Sequence, residues 1–338
     1  MTHKKSFLIL PANKSKFLSV KFNFNIIYMT KAIRPLAALC LLFVMLIEVR
    51  RPKMHKPKRK PYVLPKQTIR NWNEALSAPQ DIEIEIIETG KLYISNRLFL
   101  NMRHPNAKGI KKEKLTVPVY CYLIRHSFRG DYLVDAGLDR SFQDNTHGNI
   151  RGPLRKLFWP LCSYQENGQD IGARMRDKKV DLKGVFFTHL HIDHASGMQH
   201  LPKDISLVVG KDEPVQSLWP LYYQDNFAGV EALYEIDFES TNDLSPLGKC
   251  ADIFGDGSFW AIPTPGHRKG HVSFLVNGKQ GAYLITGDAC DIKLNFDHGV
   301  GPGFGSFNSA QAQKSLERLR DFAHEHRQIK VYFGHEIP

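Results

Sequence analysis

The sequence predicts an α/β (α+β) chain whose sheets are covered by helices. Three observations carry this reading. Short apolar or alternating runs recur from residue 82 to residue 286, glycine-containing turns separate several of them, and an amphipathic helix pattern is followed by a last strand near residue 330. Taken in order, residues 82–100 (IEIEIIETGKLYISNRLFL) read as strand, turn at Gly90, strand. VYCYLI at 119–124 and YLVDAG at 132–137 read as a pair around Arg129-Gly130-Asp131. Residues 138–180 are long, polar and mixed, the signature of a functional loop or short helices. Strands are expected at 185–188, 205–209, 259–262, 271–276 and 282–286. A helix is expected over 309–327, with Ala312, Leu316, Leu319 and Ala323 on one face and Ser309 as N-cap. A strand at 329–333 follows it.

The 338 residues carry a net charge of +12, but it is unevenly spread. Residues 1–66 hold 15 Lys and Arg against one acid, Glu48, which leaves the remainder at −2. A near-neutral body argues against a nucleic-acid partner despite the basic total. The chain therefore divides into a basic tail at 1–66 and a folded body at 67–338. Within the tail, residues 36–47 (LAALCLLFVMLI) form an apolar run of 12, against the roughly 20 that span a bilayer. With the flank RRPKMHKPKRKP, residues 33–60 read first as an uncleaved anchor or a membrane-surface helix, with a signal peptide or no membrane role as the alternatives; the body is expected on the cytoplasmic side of a membrane or in the cytoplasm. Met29, followed by TKAIRP, resembles a translation start, with residues 1–28 an upstream extension. Five cysteines without a CxxC pair suggest no disulfide framework.

The chemistry is expected at strand ends. Thr188-His189-Leu190-His191-Ile192-Asp193-His194 follows an apolar strand and packs four ligand-type side chains into six positions. Alternation points His189 and His191 one way, while Asp193 and His194 follow as the chain turns and face a neighbouring position. Imidazole and carboxylate at this density suit a divalent metal such as zinc, and two adjacent metals are geometrically feasible. Thr264-Pro265-Gly266-His267, Thr286-Gly287-Asp288 and Gly334-His335 each add one ligand-type residue at a strand end beside glycine. Each is weak alone; as an ordered set after HxHxDH they are strong.

This ordered set resembles the metallo-β-lactamase-fold hydrolases over about residues 80–338. LVDAG at 133–137, THLHIDH at 188–194, TPGH at 264–267, TGD at 286–288 and GH at 334–335 resemble the five motifs of that superfamily in order. The resemblance implies a four-layer αββα sandwich with a two-metal site, zinc being the expected ion. It implies one metal on His189, His191 and His267, a second on Asp193, His194 and His335, and Asp288 bridging both. Asp135 would orient ligands from behind or simply end its strand. Gln165-Glu166-Asn167-Gly168-Gln169-Asp170 and TPGHRKGHVSFLV resemble the N-acyl-homoserine lactonase branch. One departure stands out: the tyrosine expected three residues after the bridging aspartate is Asp291. Asp291 is therefore expected to touch substrate, stand behind the ligands or face solvent. Phe142, Phe158 and Trp159 are candidates for an acyl-pocket wall.

The function implied is hydrolysis of a small-molecule ester, most closely a lactone of the acyl-homoserine type. Hydroxide generated between the two metals attacks the carbonyl, and Asp193 or Asp288 carries the proton. A thioester hydrolase of the glyoxalase II kind, or a phosphoester hydrolase, uses the same ligands and is the alternative. A non-catalytic, metal-stabilised scaffold is the least favoured, because the ligand set is complete.

Overall fold

In the computed structural model, the residues described are 55–338 apart from 146, 153–161, 216, 219–221 and 224. In chain order the first strands are β1 (Lys58–Pro61), β2 (Ile82–Ser95), β3 (Lys114–His126), β4 (Gly130–Val134), β5 (Cys162–Tyr164), β6 (Leu182–Phe186) and β7 (Ser206–Gly210). β8 (Ser217–Leu218) and β9 (Tyr222–Tyr223) pair only with each other. With β10 (Ala232–Ile236) the earlier strands form a sheet in the order β1-β10-β7-β6-β4-β3-β2-β5. The second sheet runs in sequence order: β11 (Asn242–Leu244), β12 (Gly248–Asp252), β13 (Phe259–Pro263), β14 (Val272–Gly278), β15 (Gly281–Ile285) and β16 (Lys330–Tyr332).

Neighbouring residues on a strand face opposite sides, and both faces of the central strands are buried. Ile124, Val134, Phe186 and Val208 point at the second sheet and meet Ala261, Val272, Phe274 and Ile285. The residues just before them, Leu123, Leu133, Val185 and Leu207, point the other way and pack with Ile171 and Met175 of helix Ile171–Asp177. Burial on both faces explains why these strands read as continuous apolar runs rather than alternating ones. The outer face of the second sheet, with Trp260, Ile262, Leu275 and Leu284, packs on Trp72 of helix Trp72–Ser77 and on Leu319 and Phe322 of helix Ser309–Glu325. Helix, sheet, sheet, helix is the four-layer αββα sandwich.

Three local expectations change. Residues 82–95 form one strand, not two: Gly90, at φ +147°, absorbs a register shift against β3. A Cβ there would stand 2.8 Å from both Leu138 Cδ1 and the Tyr164 carbonyl, so only glycine fits this bulge. The cap of the last helix is Asn308, whose Oδ1 accepts from the Gln311 amide at 3.0 Å, rather than Ser309. The third change concerns the tail boundary. Lys58–Pro61 is the edge strand of the first sheet, parallel to β10, so the folded body begins before residue 67. Its charges are met within the protein: Arg59 Nη1 lies 3.3 Å from Glu235 Oε1, and Lys60 Nζ lies 3.1 Å from Glu231 Oε1. The apolar run 36–47, Met29 and the rest of the expected membrane segment up to residue 54 lie outside the described residues. Among the described residues, no helix is long and apolar enough to cross a membrane.

Candidate metal centre

The two sheets meet at a shared rim, where β4, β6, β13, β15 and β16 all end beside one another. Main-chain bonds tie the turns there, the first of the following between the two sheets and the others within the second. Val272 N donates to the Thr188 carbonyl at 2.9 Å, Thr286 N to that of Tyr332 at 2.9 Å, and His335 N to that of Asp291 at 2.7 Å. Gly334 passes close to the site: a Cβ there would stand 2.8 Å from Asp288 Oδ1, so glycine lets the chain pass this carboxylate.

His189, His191, His267 and Asp288 each bring a donor atom within 4.8 Å of the others. His191 Nδ1 lies 2.9 Å from the Nε2 of both His189 and His267. Asp288 Oδ2 closes this group at 3.3 Å from His267 Nε2 and 3.6 Å from His189 Nε2. Asp193, His194 and His335 form a second group of the same tightness. Asp288 presents its other oxygen here, with Oδ1 at 3.2 Å from His194 Nε2 and 3.7 Å from His335 Nε2. One carboxylate thus offers one oxygen to each group. Four ligands at zinc bond lengths sit about 3.3–3.4 Å apart in a tetrahedron, and these spacings scatter around that value. His194 Nε2 and Asp288 Oδ1 are buried without a hydrogen-bond partner among the described residues. Buried polar atoms are normally satisfied, so the donor set fits a pair of divalent cations.

The electrostatics point the same way. Burial, helped by neighbouring imidazoles, pushes the pKa of His189 well below the ordinary histidine value. Burial likewise lowers His191 strongly and His267 to about 4, holding both neutral with lone pairs free to ligate. Burial also acts against a charge on His194, but the carboxylates of Asp288, Asp135 and Asp193 outweigh it and raise its pKa. Burial opposes the charge on Asp288, yet His194, His267 and His335 keep it ionised. The cluster demands positive charge, and without a metal a proton on His194 supplies it.

These shifts set a pH dependence. His267 is near 4 when folded against about 6.5 unfolded, so between those values the unfolded chain binds the extra proton and stability falls as pH falls. Between pH 7.5 and 5 the metal-free protein should lose about 2 kcal/mol relative to His267→Gln. Urea unfolding of both proteins at the two pH values checks this, and a constant difference would disprove it.

Asp135 ends β4 in the left-handed region, at φ +60°. Its Oδ1 accepts from Thr188 N at 2.7 Å, and its Oδ2 lies 2.8 Å from His194 Nδ1 and 2.8 Å from Thr188 Oγ1. His335 turns its Nδ1 to the Pro118 carbonyl at 2.9 Å and stacks on Phe99 with ring centres 5.1 Å apart. Both contacts leave Nε2 aimed into the cluster. Asp291 does not face solvent: it is 2 % exposed and joins Asp288 and His335 in a third close group. Burial first, then the charge of Asp288, drives its pKa well above the usual carboxylate value. Phe142 is buried in an apolar cluster with Leu138 and Ile192, while Phe158 and Trp159 lie outside the described residues.

Sequence reasoning missed Glu213. It is fully buried and ties the two histidine loops together. Its Oε1 accepts from Leu190 N at 3.0 Å and Arg268 Nε at 3.2 Å, and its Oε2 from Gly270 N at 3.1 Å. A lone acid in a loop carries no signal of such a role. Glu213→Ala would strand buried donors on both loops and should cost about 3 kcal/mol in urea unfolding. A loss below about 1 kcal/mol would show that the loops hold without it.

Residues 116–324 match the family model described as the metallo-beta-lactamase superfamily. An N-acyl homoserine lactonase of Bacillus sp is 30% identical over 251 residues, covering 73% of this chain and 93% of that protein. One from Agrobacterium fabrum is 27% identical over 264 residues, covering 76% of this chain and 94% of that protein. The crystal structure of a quorum-quenching N-acyl homoserine lactone hydrolase shares the fold, with a TM-score of 0.58 at 20% identity over 76% of this chain and 93% of that one. With most of the body inside the family match, the chain belongs to the metallo-β-lactamase superfamily and is a metal-dependent hydrolase.

Proposed function

We propose that this hydrolase opens a lactone ring, of the acyl-homoserine class, at a site holding two divalent cations, zinc being the expected ion. The observation that carries the two-metal reading is Asp288, whose Oδ2 faces one histidine group and whose Oδ1 faces the other. His189, His191 and His267 would hold one cation, Asp193, His194 and His335 the other, and Asp288 both. The lactone reading is supported by relatives of that name at 27–30% identity across nearly their whole length. Cations so placed supply Lewis acidity toward a carbonyl oxygen and acidify water near neutral pH.

The chain's own residues do the rest. Asp135 keeps the proton of His194 on Nδ1, and the Pro118 carbonyl does the same for His335, so each Nε2 lone pair stays available. Asp193 is the more open of the two catalytic carboxylates, with 16% of its side chain exposed against 7% for Asp288. In this reading Asp193, the more exposed, accepts a proton from attacking water and returns it to the alkoxide released by ring opening. Asp288, locked among imidazoles, holds the geometry instead.

The test is ring opening of a long-chain acyl-homoserine lactone by the zinc-loaded full chain, with His191→Ala as control. Activity well above the control supports the reading. A folded protein with two metals and no lactonase activity would reject the substrate class, and thioesters and phosphoesters would be assayed next.

A further inference from the structure

Asp291 sits in the turn after β15, three residues beyond Asp288. It is 2 % exposed, its Oδ2 has no hydrogen-bond partner, and it makes no ion pair among the described residues. One of its carboxylate oxygens lies within 4.8 Å of donor atoms of both Asp288 and His335. The backbone fixes that placement: the Asp291 carbonyl accepts from His335 N at 2.7 Å, and the Cys290 carbonyl accepts from Gly334 N at 3.0 Å. A buried carboxylate oxygen without a hydrogen-bond partner, as Asp291 Oδ2 is, is tolerated on the neutral acid or beside a cation. Here the cation's place is already marked by Asp288 Oδ1 and His194 Nε2, two further buried atoms without hydrogen-bond partners among the described residues.

We infer that Asp291 is an additional ligand at the second metal position and makes the two positions chemically unequal, an inference that rests on the two-metal reading above. The first position then has three imidazoles and one carboxylate, from His189, His191, His267 and Asp288. The second has two imidazoles and three carboxylates, from His194, His335, Asp193, Asp288 and Asp291. Few, nitrogen-rich donors suit tetrahedral zinc, whereas more numerous oxygen donors suit a harder, higher-coordinate divalent ion such as Mn²⁺. The pair expected is therefore mixed, with zinc at the imidazole-rich position and a harder ion beside it.

The test loads the full chain with one equivalent of Zn²⁺ and titrates Mn²⁺, following loss of the free-ion electron paramagnetic resonance signal. The wild type should bind one Mn²⁺ per chain. Asp291→Asn keeps the shape and removes the charge; it should bind Mn²⁺ at least about tenfold more weakly while retaining its zinc. Circular dichroism establishes that the variant is folded, and Asp291→Ser carries the same comparison if it is not. Equal Mn²⁺ affinity in wild type and Asp291→Asn would overturn the inference and leave the two-metal reading standing, with Asp291 a neutral acid behind the ligands. A wild type that binds a second Zn²⁺ but no Mn²⁺ would overturn it as well. A wild type that binds no second ion of either kind would overturn both.

Discussion

Replacing Asp288 with alanine is expected to lower kcat/KM for ring opening by at least about 10³-fold, equivalent to about 4 kcal/mol of transition-state stabilisation. The effect is large because this one side chain serves both halves of the site: Oδ2 lies 3.3 Å from His267 Nε2 and Oδ1 lies 3.2 Å from His194 Nε2. Its loss takes the shared carboxylate from both groups at once, leaving only neutral imidazoles in the first and Asp193 beside His194 and His335 in the second, so less negative charge remains to hold two cations close together. Metal content measured beside activity should fall from about two ions per chain to one or fewer. A variant retaining a tenth of wild-type activity with two ions bound would show that the bridge is dispensable.

Removing the metals should have the largest effect on stability. The candidate ligands converge on positions where buried donor atoms lack partners among the described residues, so the free energy of metal binding would also be free energy of folding. An ion present at a hundred times its Kd contributes about 2.7 kcal/mol. Two such ions, at about 2–4 °C per kcal/mol for a domain of this size, correspond to a Tm shift of about 10–20 °C. Calorimetry with and without a strong chelator measures it. A shift of only one or two degrees would mean that the protein does not depend on metal for its stability, and the electrostatic account of the cluster would fail with it.

How much of this was legible in the sequence depended on how local the cause was. THLHIDH could be read directly because one turn supplies four ligand-type side chains, and His267, Asp288 and His335 because each follows a strand whose apolar run announces it. β1 could not be read that way. KRKP has no apolar pattern and joins the sheet by pairing in parallel with β10, more than 170 residues later, where Glu235 and the preceding Glu231 stand beside its charges. Glu213 was hidden for the same reason, since the amides it holds belong to two distant loops. Gly90 read as a turn because glycine marks turns and bulges alike, and only the packing of Leu138 and Tyr164 distinguishes them. Asp291 fell between the cases: its identity marked a departure, but burial beside His335 became visible only in three dimensions.

The contact between the sheets has a further consequence. His189, His191, Asp193 and His194 follow a strand of the first sheet, whereas His267, Asp288 and His335 follow strands of the second. Phe186 meets Phe259 edge to face at 5.2 Å between ring centres, and Phe259 stacks on Phe274 at 5.3 Å. These rings act as a spacer for the donor atoms at the rim. Metal–ligand distances tolerate only about 0.2 Å of error, so a trimmed ring in the seam would detune the site long before the sandwich came apart. Packing deep in the hydrophobic interior therefore bears on the spacing of the donor atoms as well as on folding.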